Sequence, residues 1–246
     1  MIELKGVLIK TFSHCCDVKT LRFRLERDVA YEPGQYLVLT LFTGDKKISK
    51  ALSISSSPSE AGYIEVTKKI SSSDFSKALD HLMPGDEVSL RLPMGKFTLP
   101  FSAPGQDAVK ENKPPRIAFL SGGIGITPIR SILKFVADRN LDIDIVLLYS
   151  SRTPEYLIFR KDIIEMQKLN KNIKAIFTLS DCKEKVPGCR QGSIDDSLVR
   201  EAIPDYLERT FYICGPPGMV AAMRSMLKDK LALPSEKIVT EDFAGY

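Results

Sequence analysis

The spacing of apolar and polar residues changes once along the chain. Up to about residue 100, short stretches alternate apolar and polar side chains with a period of two, as at residues 21–25, which is typical of half-buried strands. Turn signals such as Pro33-Gly34 separate these stretches. Further strands are predicted at residues 36–42, 52–54, 63–67 and 87–92, with a short helix at 75–82. This part of the chain is therefore predicted to form a small antiparallel β-barrel.

Beyond about residue 116, strand and helix patterns alternate. Strands are predicted at residues 117–120, 143–149, 173–179 and 211–214, and helices at 129–137, 159–169, 193–202 and 219–231. Such alternation indicates βαβ units and a doubly wound parallel sheet. Between the two patterns lies a polar, proline-containing stretch. The predicted domains are a β-barrel over residues 1–101, a linker over 102–115 and an α/β domain over 116–246.

The composition narrows the classes of protein that fit this pattern. The 246 residues include 35 Lys and Arg against 31 Asp and Glu, and the net charge of +4 is spread along the chain, so no nucleic-acid partner is expected. The five cysteines are scattered and odd in number, unlike a disulfide scaffold, and with two histidines they offer no metal-site spacing. Apolar runs are far shorter than the ~20 residues of a membrane span, and the first residues contain no stretch of signal-peptide length. We expect a cytoplasmic protein without a metal centre or a membrane span.

A glycine-rich turn joins the first strand of the α/β domain to the helix that follows. It reads Ser121-Gly122-Gly123-Ile124-Gly125-Ile126-Thr127-Pro128. Glycines let the backbone approach a phosphate closely, and the free N–H groups at a helix start bind anions. Thr127 is predicted to be the N-cap and Pro128 the first helical residue. Pro128 stands where the usual dinucleotide fingerprint has its third glycine, which disfavours an ordinary Rossmann enzyme. A tight strand-to-helix turn without a ligand is the alternative.

Two other segments fall at the same edge of the predicted sheet. The second strand runs into Ser151 and Arg152, a hydroxyl and a guanidinium that suit a 2′-phosphate better than a ribose diol. A solvent-exposed loop arginine is the alternative interpretation. The fourth strand runs into Cys214-Gly215-Pro216-Pro217-Gly218-Met219, another tight turn into a helix, where a ligand at a topological switch point would be contacted.

Together with segments of the barrel half, these motifs resemble the ferredoxin–NADP reductase superfamily of flavin-dependent oxidoreductases. The glycine-rich turn is similar to that family's nicotinamide-nucleotide pyrophosphate loop, and residues 214–219 are similar to its Cys-Gly-Pro-x-x-Met segment. Lys50-Ala51-Leu52-Ser53 falls where the family has Arg-x-Tyr-Ser. Residues 68–76 fall on its flavin-phosphate stretch, and residues 93–97 resemble its Gly-Pro-x-Gly-x-Phe. The resemblance extends from about residue 5 to Tyr246.

The resemblance implies a set of site residues. Ser53 would hydrogen-bond near the flavin N5, Cys214 would lie near the nicotinamide C4 and Glu241 would belong to a proton route, as the implied catalytic residues. The implied flavin-binding residues are Lys50, Ala51, Leu52, Ser53, Thr67, Lys68, Lys69, Asp74, Phe75, Ser76, Thr127 and Tyr246. The implied nucleotide-binding residues are Gly122, Gly123, Gly125, Thr127, Ser151, Arg152, Cys214, Gly215, Pro216 and Met219. For the C-terminal tail, an ordinary edge strand is the alternative to a segment that covers the flavin.

Three departures from the family pattern affect the flavin site, and one of them is Ser73 in place of the glycine of the flavin-phosphate turn. Lys50 replaces an arginine, so a bidentate fork becomes a single ammonium that still neutralises a phosphate. Leu52 replaces a tyrosine, so the flavin ring would pack on an aliphatic surface.

The implied activity is oxidation of NAD(P)H, NADPH favoured over NADH, with FAD favoured over FMN as cofactor. Electrons would pass to a small protein acceptor such as a ferredoxin, a flavodoxin or an oxygenase component. No iron–sulfur cluster is expected in this chain, because it contains no four-cysteine segment. The alternatives are a nucleotide-binding electron-transfer subunit of a larger complex and a free-flavin or ferric reductase.

Overall fold

The computed structural model describes residues 1–15, 17–44, 46–100 and 114–242, and these divide into two compact units. Described residues up to 100, together with 127–135, form the first unit, and residues 114–126 and 136–242 form the second. Most of the predicted linker, residues 102–113, lies outside the described residues, as does Tyr246.

The first unit is built on a six-stranded antiparallel sheet in the order β4-β3-β6-β1-β2-β5. Its elements are β1 (Ile2–Cys15), β2 (Val18–Leu25), β3 (Tyr36–Thr43), β4 (Lys46–Ser53), β5 (Ile64–Lys69), α1 (Asp74–Asp80) and β6 (Glu87–Met94). A bridge between Ile54 and Val66 brings the two outer strands together beyond the end of β4. Alternate side chains, for example Leu37, Leu39 and Leu41, are buried in one apolar core. The structure thus confirms the predicted antiparallel barrel architecture.

A buried ion pair lies beside this core. The Arg130 guanidinium binds both carboxylate oxygens of Glu60, with the longer contact at 3.0 Å, and also donates to the Ser55 carbonyl at 3.0 Å. The backbone N–H of Ser57 donates to the same carboxylate at 2.7 Å. The side chains of Arg130 and Glu60 are only 8% and 12% exposed. Burial alone would raise the pKa of Glu60, but the hydrogen bonds and charge of Arg130 outweigh it, so this pKa is lowered.

The second unit is a parallel sheet in the order β10-β9-β8-β7-β11-β12. Its elements are β7 (Arg116–Gly122), α2 (Ile126–Asp138), β8 (Asp144–Ser151), α3 (Arg160–Leu169), β9 (Ile173–Leu179), β10 (Cys189–Gln191), α4 (Asp196–Ala202), β11 (Thr210–Gly215), α5 (Pro217–Ser225) and β12 (Ile238–Asp242). Of these, α2 contributes residues 127–135 to the first unit. The near-continuous burial of β7 and β8 is typical of parallel strands covered on both faces. The predicted doubly wound α/β domain is confirmed.

The order of the strands reverses between β7 and β11, because the chain first builds outward through β8 and β9 and then returns to the other side of β7. Such a switch point opens a crevice at the carboxyl ends of the strands, where α/β proteins bind ligands. The glycine-rich turn and the turn after β11 both leave the sheet at this point.

Several helix boundaries differ from the predictions, and the short helix predicted at 75–82 covers Asp74–Asp80. A short 3₁₀ turn over Gly123–Gly125 leads directly into α2 at Ile126, so Thr127 lies inside the first helical turn and is not the N-cap. Helix α4 begins at Asp196, because Asp195 accepts a hydrogen bond from the Leu198 N–H as its N-cap. Helix α5 ends at Ser225 and continues as a π-turn over Met226–Lys230.

No helix within the described part of the chain is long and apolar enough to cross a membrane.

Candidate functional site

The end of β4 carries a buried hydroxyl group that lacks a hydrogen bond. Ser53 is 4% exposed, and its Oγ has no hydrogen-bond partner among the described residues. A buried hydroxyl without a partner costs about 1–3 kcal/mol, so such groups call for a ligand or an ordered water. Tyr36 lies directly opposite Ser53 in the β3–β4 ladder, and opposite residues share one face of a sheet. A half-buried aromatic side chain therefore accompanies the predicted flavin-binding serine.

Lys50 and Lys68 lie close enough for their positive charges to repel each other. The side chain of Lys68 is fully buried, and its Nζ donates to the Lys69 carbonyl at 3.0 Å. Burial, and then the nearby charge of Lys50, lowers the pKa of Lys68 to about 8. Both effects oppose a positive charge at Lys68, and an anion bound beside the two ammonium groups would relieve both.

The remaining predicted flavin-binding residues of the first unit differ in what they can offer a ligand. The Thr67 hydroxyl already binds Thr20 at 2.6 Å and Ser55 at 2.9 Å. Ser76 is buried and binds Ser71 and Ser73 in the turn that caps α1. Lys69 forms an ion pair with Asp17 at 3.3 Å. For Thr67 and Ser76, the backbone is the part that a ligand could use.

Four other predicted positions differ in their burial. Leu52 is 2% exposed and belongs to the barrel core, and Phe75 packs into the same core from α1. Ala51 is exposed on the opposite face of β4. Because Leu52 is enclosed by its own neighbours, it presents little aliphatic surface to a ring. Asp74 lies exposed in the first turn of α1.

In the second unit, the glycines of the turn after β7 are required for different reasons. A Cβ on Gly125 would lie 2.2 Å from the Cys214 carbonyl oxygen, and a Cβ on Gly122 would lie 2.0 Å from the Met219 Sδ. A Cβ on Gly215 would lie 2.7 Å from the Met219 Cε. Gly123, by contrast, has no described heavy atom within 4 Å of its Cβ position, and its φ of +53° is left-handed. Gly123 is therefore where the turn is open to a ligand.

Three chemically reactive side chains lie in one row across the sheet. Ser121, Cys214 and Glu241 occupy opposite positions on β7, β11 and β12 at the carboxyl edge. In a parallel sheet, residues in register point to the same face. Ser121 and Cys214 are fully buried, and the Ser121 Oγ has no hydrogen-bond partner within the described part of the chain. The structure thus brings the predicted Cys214 and Glu241 together, with Ser121 as a third member.

The loop after β8 is held by its backbone. The carbonyls of Ser151 and Arg152 accept hydrogen bonds from Ser180 N–H at 2.9 Å and Asp181 N–H at 3.0 Å. Ser151 is buried and the Arg152 side chain is exposed, with no ion pair to any residue that the structure describes. Pro216 and Gly215 form the turn after β11 that leads into α5. Arg152 therefore presents a guanidinium at the carboxyl edge of the sheet.

Comparison with known proteins assigns a family to each half of the chain. Residues 5–99 match the oxidoreductase FAD-binding domain family, and residues 119–225 match the oxidoreductase NAD-binding domain family. The chain belongs to the ferredoxin–NADP reductase-like oxidoreductases. The chain combines an FAD-binding and an NAD-binding oxidoreductase domain, and the resemblance seen in the motifs is confirmed.

Relatives with known names are of the same kind. The chain is 28% identical over 227 residues to the glycine betaine monooxygenase reductase subunit of Pseudomonas aeruginosa, covering 89% of the chain and 59% of that protein. It is 27% identical to reductase component 2 of the Comamonas sp. terephthalate 1,2-dioxygenase, covering 87% of the chain and 60% of that protein. The chain thus spans about 60% of the length of these relatives. The fold matches a ferredoxin NADP+ reductase from Neisseria gonorrhoeae crystallised with FAD and NADP, with a TM-score of 0.77, 20% identity and 98% of each chain covered.

The residues of the reductase-like chain suit an FAD of the kind its family binds. The buried Ser53 hydroxyl has no hydrogen-bond partner among the described residues, and a hydrogen-bonding ring would supply one. The charges of Lys50 and Lys68 repel each other, and an anionic phosphate would offset that repulsion. At the switch point, the unpartnered Ser121 hydroxyl and the open position at Gly123 suit a dinucleotide in the same sense.

Tyr36 and Ser121 were not among the residues predicted from the sequence, although for Tyr36 the sequence contains a signal. Tyr36 and Ser53 are equally far from the centre of the β3–β4 hairpin near Gly44, so counting outward from that turn pairs them. Ser121 lies within the quoted glycine-rich motif, but its burial depends on the packing of three strands, which no local pattern shows.

Proposed function

We propose that this chain oxidises NAD(P)H, with NADPH preferred, and passes the electrons through FAD to a small electron-carrier protein or an oxygenase component. The observation that carries the proposal is the buried Ser53 hydroxyl, which has no hydrogen-bond partner among the described residues, in a chain whose other unit has a nucleotide-type switch point. The like charges of Lys50 and Lys68 support an anion as part of the ligand. The two named relatives, both reductase components of oxygenases, support the choice of acceptor. The small electron-carrier protein would be a ferredoxin or a flavodoxin.

Each residue has a specific task in this proposal. Bound FAD supplies a group that accepts two electrons together and releases them one at a time. Ser53 would donate a hydrogen bond to the ring near N5, and Lys50 and Lys68 would neutralise the phosphate. Cys214 would face the nicotinamide and exclude water from it, and Glu241, next to Cys214 in the row, would hold a proton. Gly123 gives the pyrophosphate access to backbone N–H groups.

The preference for NADPH rests on Ser151 and Arg152. Hydrogen bonds from Ser180 and Asp181 fix their backbone, and the exposed Arg152 guanidinium can bind a 2′-phosphate in bidentate fashion. No Asp or Glu takes the place of Ser151 or Arg152, where a carboxylate would favour the ribose diol.

Anaerobic titration of the FAD-loaded protein with NADPH and with NADH tests the proposal. We expect one equivalent of NADPH to bleach the visible absorbance of one FAD, and at equal low concentration NADPH to bleach it faster than NADH. A protein that retains no FAD, or whose FAD is reduced by neither nucleotide, would contradict it. Turnover with ferredoxin-type carriers and with free flavin or ferric complexes then separates the alternatives. Turnover with the small acceptors alone would favour a free-flavin or ferric reductase, and bleaching without turnover would favour a subunit of a larger complex.

The binding of FAD is expected to weaken as the pH rises through about 8. The pKa of Lys68 is about 8 because of burial and the charge of Lys50, and a bound anion would raise it, so binding takes up a proton above that pH. We expect the dissociation constant of FAD to increase by up to about tenfold per pH unit above 8. Fluorescence titration of FAD from pH 7 to 9.5 measures this. Lys68→Met should bind more weakly and remove the pH dependence, whereas Lys168→Met, in an exposed pair with Glu165, should keep it.

A further inference from the structure

The Tyr149 side chain stands directly behind the two nucleotide-type loops. It is the largest fully buried side chain of the described residues and lies on β8 beside Ser121. Its hydroxyl donates to the Gly123 carbonyl at 3.2 Å and lies 3.1 Å from the Tyr156 carbonyl. Gly123 is the open position of the glycine-rich turn, and Tyr156 ends the 3₁₀ turn that follows Arg152.

One phenol has one proton, whereas both of these carbonyls are acceptors. The two loops therefore share a single hydrogen-bond donor, and a movement of either loop changes what the other receives. The Gly123 carbonyl also accepts from the Ile126 N–H at the start of α2, so the same carbonyl takes part in the start of the helix and in the contact with Tyr149.

The ring that carries this hydroxyl is held rigidly. Phe177 packs edge-on against Tyr149, with ring centroids 6.3 Å apart. The Arg160 guanidinium lies 5.4 Å from the centre of the Phe177 ring. Because the ring is enclosed, its hydroxyl is held in one position between the two loops. Water does not take the place of this hydroxyl.

We propose that Tyr149 is a positioning residue that couples the pyrophosphate turn to the 2′-phosphate loop and so sets the preference between NADPH and NADH. The inference rests on the proposed function, since it assigns the turn at Gly123 to the pyrophosphate and the loop at Arg152 to the 2′-phosphate. Through the Gly123 carbonyl, Tyr149 supports the binding of either nucleotide. Through the Tyr156 carbonyl, it supports only the part of binding that depends on Arg152.

Removal of the hydroxyl should therefore weaken the binding of NADP+ more than the binding of NAD+. We expect Tyr149→Phe to raise the dissociation constant of NADP+ by about tenfold and that of NAD+ by about threefold, measured by calorimetry on the FAD-loaded protein. The kcat at saturating NADPH should stay close to that of the wild type while KM rises. Tyr212→Phe is the matched control, because Tyr212 is a buried tyrosine of the same sheet, on β11, which β7 separates from β8. It packs on Phe119, and its replacement should leave both constants unchanged.

A double-mutant cycle tests the coupling itself. Arg152→Gln should weaken the binding of NADP+ and leave the binding of NAD+ unchanged. Its effect on NADP+ binding should be smaller in the Tyr149→Phe background, because the loop that presents Arg152 is already displaced there. Additive effects, or equal losses of NADP+ and NAD+ in Tyr149→Phe, would overturn the coupling to the 2′-phosphate loop.

A measurement on the wild-type protein covers the case in which Tyr149→Phe does not fold. Adenosine 2′-phosphate carries no pyrophosphate, yet its binding should slow amide hydrogen exchange in the glycine-rich turn as well as in residues 153–157. Protection confined to residues 153–157 would refute the inference. If the wild type binds neither nucleotide, the proposed function fails; if it binds both and Tyr149→Phe changes nothing, only this inference fails.

Discussion

Arg130→Met lowers the free energy of unfolding by about 3–5 kcal/mol, the cost of leaving a buried carboxylate without its counter-charge. Glu60 keeps the Ser57 N–H as a hydrogen-bond donor but loses both contacts to the guanidinium. Urea unfolding of the FAD-free protein at pH 7 measures the loss. The matched control is Arg190→Met, which breaks an exposed pair with Glu201 and should change the stability little.

The pH dependence of this loss has a definite sign. Because the pKa of Glu60 is lowered in the folded wild type, the ion pair contributes stability above the ordinary glutamate pKa, and this contribution disappears as the pH falls through the lowered value. In Arg130→Met, Glu60 can fold as the neutral acid once the pH approaches 4. The difference between wild type and variant should therefore shrink from pH 7 to pH 4, and a constant difference would show that the ion pair is not its cause. Glu60→Leu combined with Arg130→Met should recover most of the stability.

Gly125→Ala is expected to destabilise the second unit by about 1–3 kcal/mol, because the added methyl group overlaps backbone atoms at the end of β11. The Cβ would lie 2.2 Å from the Cys214 carbonyl oxygen and 2.6 Å from the Gly215 Cα, and neither atom can rotate away. The same displacement moves the end of β11 and the turn to which a pyrophosphate is proposed to bind. We therefore expect the affinity for NADP+ to fall together with the thermal stability.

Gly218→Ala provides the contrast within the same region. Gly218 lies in α5, and no described heavy atom is within 4 Å of its Cβ position. Alanine restricts the unfolded chain without a clash, so this variant should be more stable by about 0.4–1 kcal/mol. Thermal unfolding of both variants without nucleotide checks the pair, and equal behaviour of Gly125→Ala and Gly218→Ala would contradict the packing argument.

The sequence pattern predicts most of the sheet strands because their burial is periodic, and it fails where burial is not. Strand β1 has 14 residues, but its second half is almost entirely exposed, so half the strand has no apolar alternation to detect. Strand β10 has three residues, none of them buried. The start of α2 was placed too late because the 3₁₀ turn over Gly123–Gly125 already makes helix-like hydrogen bonds to Ile126.

The candidate site follows the same division. The motifs around Ser53, Gly123 and Cys214 are local in sequence, so a resemblance to known proteins could mark them. The burial of the Ser53 and Ser121 hydroxyls, the pairing of Tyr36 with Ser53 and the double contact of Tyr149 all depend on which strands become neighbours. No property of the single residues shows such contacts before the chain has folded.

The two kinds of glycine in the turn after β7 affect how mutational data on this protein should be interpreted. A random screen for activity would mark Gly125 as indispensable, and Gly122 as costly to replace because Met219 must move. Neither result would report on a bound nucleotide, since the obstruction in both cases comes from the protein's own atoms. Only at Gly123, where space is open and the backbone is left-handed, would an added side chain meet an incoming ligand first. Intolerance to substitution and contact with the substrate are therefore separate properties within a stretch of four residues.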